Sequence, residues 1–249
     1  MPTKLCASAT TFKNTVGGTT AGKSAWKNIQ RIAITEDSTS KFTDAVFAGC
    51  DNLRQLTIPP NMVSMSAATL KSCPVLESIE LPYLPIGTSA STKFYFGNLF
   101  EFKSTALTAA EEEHYELAKD ENSMNVAFKV PKTLERVKIN KGNTIFTFTG
   151  MKMIKEVILP DDLQEIPEEA FINCSGLEGI DIPHGTQTIG QNAFANCVGL
   201  TSVTIPDTVT SIESGAFASC KNLVRIVIPS SVTSIGEYAF DECENLTLV

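Results

Sequence analysis

Between Leu159 and Leu246 the apolar positions of the chain return at a fixed step of 23 residues. One column is Leu159-Pro160, Ile182-Pro183, Ile205-Pro206 and Ile228-Pro229; a second is Ala170-Phe171, Ala193-Phe194, Ala216-Phe217 and Ala239-Phe240. Cys174, Cys197, Cys220 and Cys243 form a third, and Leu177, Leu200, Leu223 and Leu246 a fourth. Mostly polar residues fill the positions between. In each copy the run Leu-x-x-Val/Ile-x-Ile ends on two apolar residues spaced two apart. That spacing belongs to a strand with one buried face, its intervening side chains pointing out.

The pattern predicts one short strand per copy. Proline after the isoleucine ends it, because proline has no N–H to give the ladder. Val-x-x-Ile-Gly then turns the chain, and Ala-Phe-x-x-Cys packs a short helical or irregular turn over the far side. No copy can bury its Phe, Cys and Leu alone, so stacked neighbours must do it for one another. A period in this range with this apolar core marks an α/β leucine-rich-repeat solenoid, with a parallel β-sheet on one face and about 23 residues per repeat.

The full unit, IP-x-x-V-x-x-I-G-x-x-AF-x-x-C-x-x-L-x-x-V-x-I, resembles the BspA-like (Treponema pallidum-type) leucine-rich repeat of bacterial and protist surface proteins. Ile-Pro, Ala-Phe and Cys recur together in phase, from about Ile29 to Val249 with an interruption. The resemblance implies cell-surface display, adhesion and contact with host or matrix proteins.

Read from the start, residues 1–25 form a lead-in or cap with weak periodicity, and residues 26–82 carry the first rungs. These are Ile29-Ile32-Ile34, then Leu53-Leu56-Ile58-Pro59, then Leu76-Ile79-Leu81-Pro82, with Phe47, Cys50, Leu70 and Cys73 in phase. Residues 83–130 break the register. From Leu81 to Ile139 there are 58 residues where two units would take 46, so the stretch holds an insertion or a degenerate unit. Phe94 to Phe100 is aromatic and reads as buried, and Thr105 to Glu121 reads as a helix with an acidic face. Residues 131–249 return to the repeat, first through a unit of 20 residues from Ile139 to Leu159 carrying Phe148, Met151 and Ile154. Nine rungs result, all in one solenoid domain. The ninth stops at Val249 before its Ile-Pro, and the expectation is a piece of a longer exported protein.

Composition adds exclusions. A net charge of -8 without a basic run argues against a nucleic-acid surface, which needs clustered Lys and Arg. Neither a membrane span nor a signal peptide is legible. The expected location is the cell surface or outside the cell, with the cytoplasm as the alternative. Six of the seven cysteines share one repeat position, and Cys6 lies outside it. Zinc ligands come as close pairs on one chain, whereas these are a rung apart, so the reading is buried free thiols and no metal.

Gly17 to Ser24, GGTTAGKS, fits the phosphate-binding loop G-x-x-x-x-G-K-[ST]. That loop needs a buried strand before it and a long helix after it; Ala7 to Val16 is polar, and a rung begins five residues after Ser24. The consecutive glutamates 111–113 lack the alternation of a calcium loop. His184 occupies a turn position that Asp207 and Ser230 fill in later copies. No catalytic residue, cofactor or metal is assigned.

What remains is the outward ladder face. Its candidate partner-binding residues are Arg136, Lys138, Glu156, Ile158, Asp181, Arg225 and Val227, where Arg beside apolar groups suits a protein contact. The face carries no aromatic row for stacking on sugars or bases. The functional expectation is a non-catalytic surface protein binding a protein partner, with no nucleic acid and no membrane insertion. The alternative is a structural spacer presenting another domain, and a nucleotide-binding enzyme is a remote third.

Overall fold

A computed structural model gives the fold, describing residues 3–7, 27–34, 41–42, 46–47, 50–58, 60, 64–65, 68–82, 95–102, 106–119, 127–142 and 147–247. The chain divides into two compact units, Met1–Val137 and Lys138–Val249.

The second unit is a parallel β-solenoid. Strands Gly179–Asp181, Ser202–Thr204 and Arg225–Ile226 pair in parallel, with Ile180 opposite Val203 and Val203 opposite Ile226. The backbone N–H groups of Glu178, Thr201, Val224 and Thr247 donate to the carbonyls of Lys155, Glu178, Thr201 and Val224. This carries the ladder from strand Glu156–Ile158 to the last rung. Val157, Ile180, Val203 and Ile226 point inward, and the residues flanking them in the strands are more exposed, as the two-residue period requires.

The Val-x-x-Ile-Gly segment does more than turn. Glu165–Ile166, Thr188–Ile189, Ser211–Ile212 and Ser234–Ile235 form a second parallel ladder in register. Ile166, Ile189 and Ile212 are fully buried along it.

The far side, expected as helical or irregular, is built of turns. N–H groups of Glu169, Phe171 and Asn173 donate to Gln191, Ala193 and Ala195 carbonyls one rung ahead, and the next two rungs repeat the scheme. These donors point along the stack rather than back four residues, so no α-helix forms here. Among the described residues α-helix is confined to Ala109–Glu112, which makes the architecture a β-solenoid with little helix.

The core follows the columns. Phe148, Phe171, Phe194, Phe217 and Phe240 stack with ring centroids 5.2, 5.2, 5.1 and 5.5 Å apart and planes within 7° of parallel. Thiols of Cys174, Cys197, Cys220 and Cys243 donate to the carbonyls of Phe148, Phe171, Phe194 and Phe217 at 3.0 to 3.2 Å. Cysteine here fills space, and its thiol is a second donor to a carbonyl that already accepts the backbone N–H three residues on.

In the first unit Ile29–Ile34, Gln55–Thr57 and Ser78–Leu81 pair in parallel, with Ile32, Leu56 and Ile79 in line. Thr3–Ala7 adds a strand before them, with Leu5 opposite Ile32, so the lead-in extends the ladder. N–H groups of Glu135 and Arg136 donate to the Glu77 carbonyl, which sets Arg136–Ile139 directly after Ser78–Leu81. The 83–130 stretch is therefore one excursion between adjacent rungs.

That excursion holds an antiparallel sheet of Glu101–Phe102, Ala127–Pro131 and Tyr115–Lys119. The expected acidic helix is limited to Ala109–Glu112, started by a capping box in which Thr108 and Glu111 satisfy each other's ends. Tyr115–Lys119 is strand because its backbone pairs with Ala127–Pro131. The aromatic segment folds as the 3-10 helix Phe96–Leu99, with Phe96, Leu99 and Phe100 buried. Asn98 and Leu99 carbonyls accept from Ala68 and Leu70, standing in for an Ala-Phe turn.

Candidate functional site: the outward ladder face

In the second unit the strands hold their outer residues in columns, one rung apart. Glu156, Gly179, Ser202 and Arg225 make one column; Ile158, Asp181, Thr204 and Val227 make the next. All but Gly179 are exposed. Ile158 and Val227 keep 47% and 54% of their surface, and Val224, just before its strand, keeps 51%. Most aliphatics of this unit are buried; these three are exposed on the outward face, and Ile235, at the end of the second ladder, is exposed as well.

Gly179 leaves a hollow between Glu156 and Ser202, since a Cβ there would meet only the Ser202 carbonyl at 4.0 Å. Lys138 is exposed at the unit's first strand. The repeat places these residues, and their neighbours' burial fixes their direction.

Arg136 belongs to the first unit. It lies on that unit's outer face in a shallow groove of about 290 Å³, lined with Gln55, Glu77, Ser78, Thr133 and Glu135. Thr133 Oγ1 donates to the Leu76 carbonyl at 2.8 Å, and Arg54 pairs with Glu77. Glu77, Thr133, Glu135 and Val224 were not on the sequence-derived face, because they sit in the turn before the strand, where alternation gives no direction.

The acidic stretch serves the fold. Glu111 closes the capping box and also meets Lys129 Nζ at 3.2 Å, while Glu101 meets the same ammonium at 3.1 Å. Lys132 donates to the Glu112 carbonyl. His184 lies 3.6 Å from Asp207 in open solvent, at a turn. Among the described residues no group of three or more His, Cys, Asp or Glu could hold a metal ion. The 17–24 loop lies outside the described residues, and so does the side chain of Cys6.

The ladder thiols are held neutral. Burial pushes Cys174 and Cys220 up to about 12, and burial together with the nearby Asp51 carboxylate pushes Cys50 up to about 12. Cys73 and Cys197 are raised well above the ordinary value by burial and their thiol neighbours. A thiol so raised is a poor nucleophile and a poor metal ligand.

No helix among the described residues is long and apolar enough to cross a membrane. Comparison with curated proteins gives no match. Among solved structures, the Treponema pallidum leucine rich repeat protein is similar at 21% identity, over 83% of this chain and 71% of that one, with a TM-score of 0.45. A leucine rich cell surface protein of Faecalibacterium prausnitzii matches at 22% identity over 84% of this chain and 42% of its own, TM-score 0.37. A leucine-rich repeat protein of Bacteroides ovatus matches at 19% identity over 89% and 73%, TM-score 0.38. The family model for the BspA type leucine rich repeat region matches residues 6–116 and 121–249 in six copies. With its 23-residue columns, parallel ladders and this match over nearly its whole length, the chain belongs to the BspA-type leucine-rich-repeat family.

Proposed function

We propose that this protein is a non-catalytic, surface-displayed binding module whose outward ladder face contacts a protein partner, an extracellular host or matrix protein being the class the family favours. The observation that carries the reading is the exposure of Ile158, Val224 and Val227 on a face whose inner side is occupied by the stack. Aliphatic groups beside an arginine supply interface energy, and rigid strands hold them at low entropic cost. Among the described residues the buried thiols are accounted for by packing and Glu111 by capping and its pairing with Lys129.

The test is binding of the intact chain to a panel of purified extracellular and matrix proteins, alongside an Ile158→Asp, Val227→Asp double variant of unchanged melting temperature. Binding lost at least about tenfold in the variant is expected, the scale of two truncated interface contacts. A panel without any binder, or binding indifferent to the variant, would count against it.

A further inference from the structure

The ladder face of Lys138–Val249 also specifies what kind of segment it receives. Ile158 and Val227 are three steps of 23 residues apart, with Asp181 and Thr204, which face each other across adjacent strands, at the two steps between. At roughly 4.8 Å per rung that separation is about 14 Å, and an extended chain advancing about 3.4 Å per residue covers it between residues i and i+4. Residue i+2 of that chain faces the same way and falls between Asp181 and Thr204, where a long cationic side chain reaches the Asp181 carboxylate. Arg225 shares its rung with Val227 and has Val224 next to it in sequence.

Asp181 and Arg225 are both exposed and carry no ion pair among the described residues. The hollow at Gly179 lets a backbone approach the sheet beside Asp181. The face thus offers aliphatic, anion, aliphatic and cation in a fixed order.

We infer that this face receives an extended segment of a partner protein, laid across the strands, with aliphatic residues at i and i+4. A Lys or Arg at i+2 meets Asp181, and a carboxylate within one residue of i+4 lies in reach of Arg225. The inference rests on the proposed binding role of the face and adds the chemistry of the occupant. Opposite charges set along the path fix direction and register more than affinity.

The test titrates two peptides into the intact isotope-labelled chain and follows amide shifts by NMR. One is acetyl-Thr-Ile-Thr-Lys-Thr-Val-Asp-Thr-amide, and the other exchanges its Lys and Asp. The first is expected to shift Asp181, Thr204, Arg225 and Val227 and to bind about fivefold tighter than the second, the scale two exposed ion pairs supply. An Asp181→Lys, Arg225→Asp variant should reverse the preference. Equal binding of both peptides, shifts confined to other faces, or no shift at millimolar peptide would overturn it. A panel protein that binds with its footprint elsewhere sinks this inference and leaves the binding role standing; a panel without any binder sinks the role itself.

Discussion

Two residue positions in each turn take a left-handed backbone: Glu169 and Asn173, Asn192 and Asn196, Gly215 and Ser219, Tyr238 and Glu242. Asn and Gly tolerate that conformation, whereas Glu, Ser and Tyr are strained by about 1 kcal/mol or more. Tyr238 is 69% exposed, so little contact is lost on replacement. Tyr238→Gly is expected to raise stability by up to about 1 kcal/mol in urea unfolding. Gly215→Ala should lower it by about 1 to 3 kcal/mol, since its φ is +64° and a Cβ would stand 2.3 Å from Asn192 Oδ1. With Glu, Asn, Gly, Ser and Tyr all occurring at these positions, residue type alone did not mark them, and only the backbone identifies them. The thiol column was legible as buried cysteine; its bonds to phenylalanine carbonyls were not, because they join residues 26 apart. Burial that raises a thiol from 9.0 to about 12 favours the folded state below pH 9, and that contribution is lost as pH rises through about 12. Stability should therefore fall above pH 9, by up to about 1.4 kcal/mol per pH unit for each such thiol. A Cys174→Ala, Cys220→Ala variant should show a shallower decline in denaturant melts between pH 8 and pH 11; an equal decline would remove the thiols from the explanation.

At the scale of elements, legibility followed length. The Leu-x-x-Val/Ile-x-Ile strands were readable because three anchors fix each one, whereas the second ladder has two-residue strands, too short for alternation to register. In the excursion, the helix expected over Thr105 to Glu121 forms only at Ala109–Glu112, and Tyr115–Lys119 joins a sheet instead. That pairing partner, Ala127–Pro131, lies across a loop, and long-range pairing overrides local propensity. Gly97 shows why the excursion needs its aromatic sequence: a Cβ there would lie 2.3 Å from the Phe128 ring. Gly97→Ala is expected to cost about 1 to 3 kcal/mol and to raise amide exchange in Ala127–Pro131 selectively. Unchanged exchange there would mean the ring simply moves aside.

At the scale of the whole molecule, charge is unevenly divided. Lys138–Val249 holds six Lys and Arg against fourteen Asp and Glu, whereas Met1–Val137 holds fourteen of each. Added salt screens self-repulsion, so raising sodium chloride should slow amide exchange in the second unit more than in the first. The repeat made the fold and the direction of the outer residues readable from sequence, while Val224 and the Gln55–Arg136 groove needed coordinates. Everything proposed for the face depends on rungs that stack as interchangeable units, each stabilised by its immediate neighbours. The most direct measurement is a pair of double-mutant cycles in phenylalanine-to-leucine variants, read by urea unfolding. Phe171 and Phe194, in adjacent rungs, should couple by about 0.5 kcal/mol or more, and Phe148 and Phe217, three rungs apart, by less than about 0.3 kcal/mol. Equal coupling in the two cycles, or none between adjacent rings, would contradict the stacked spine.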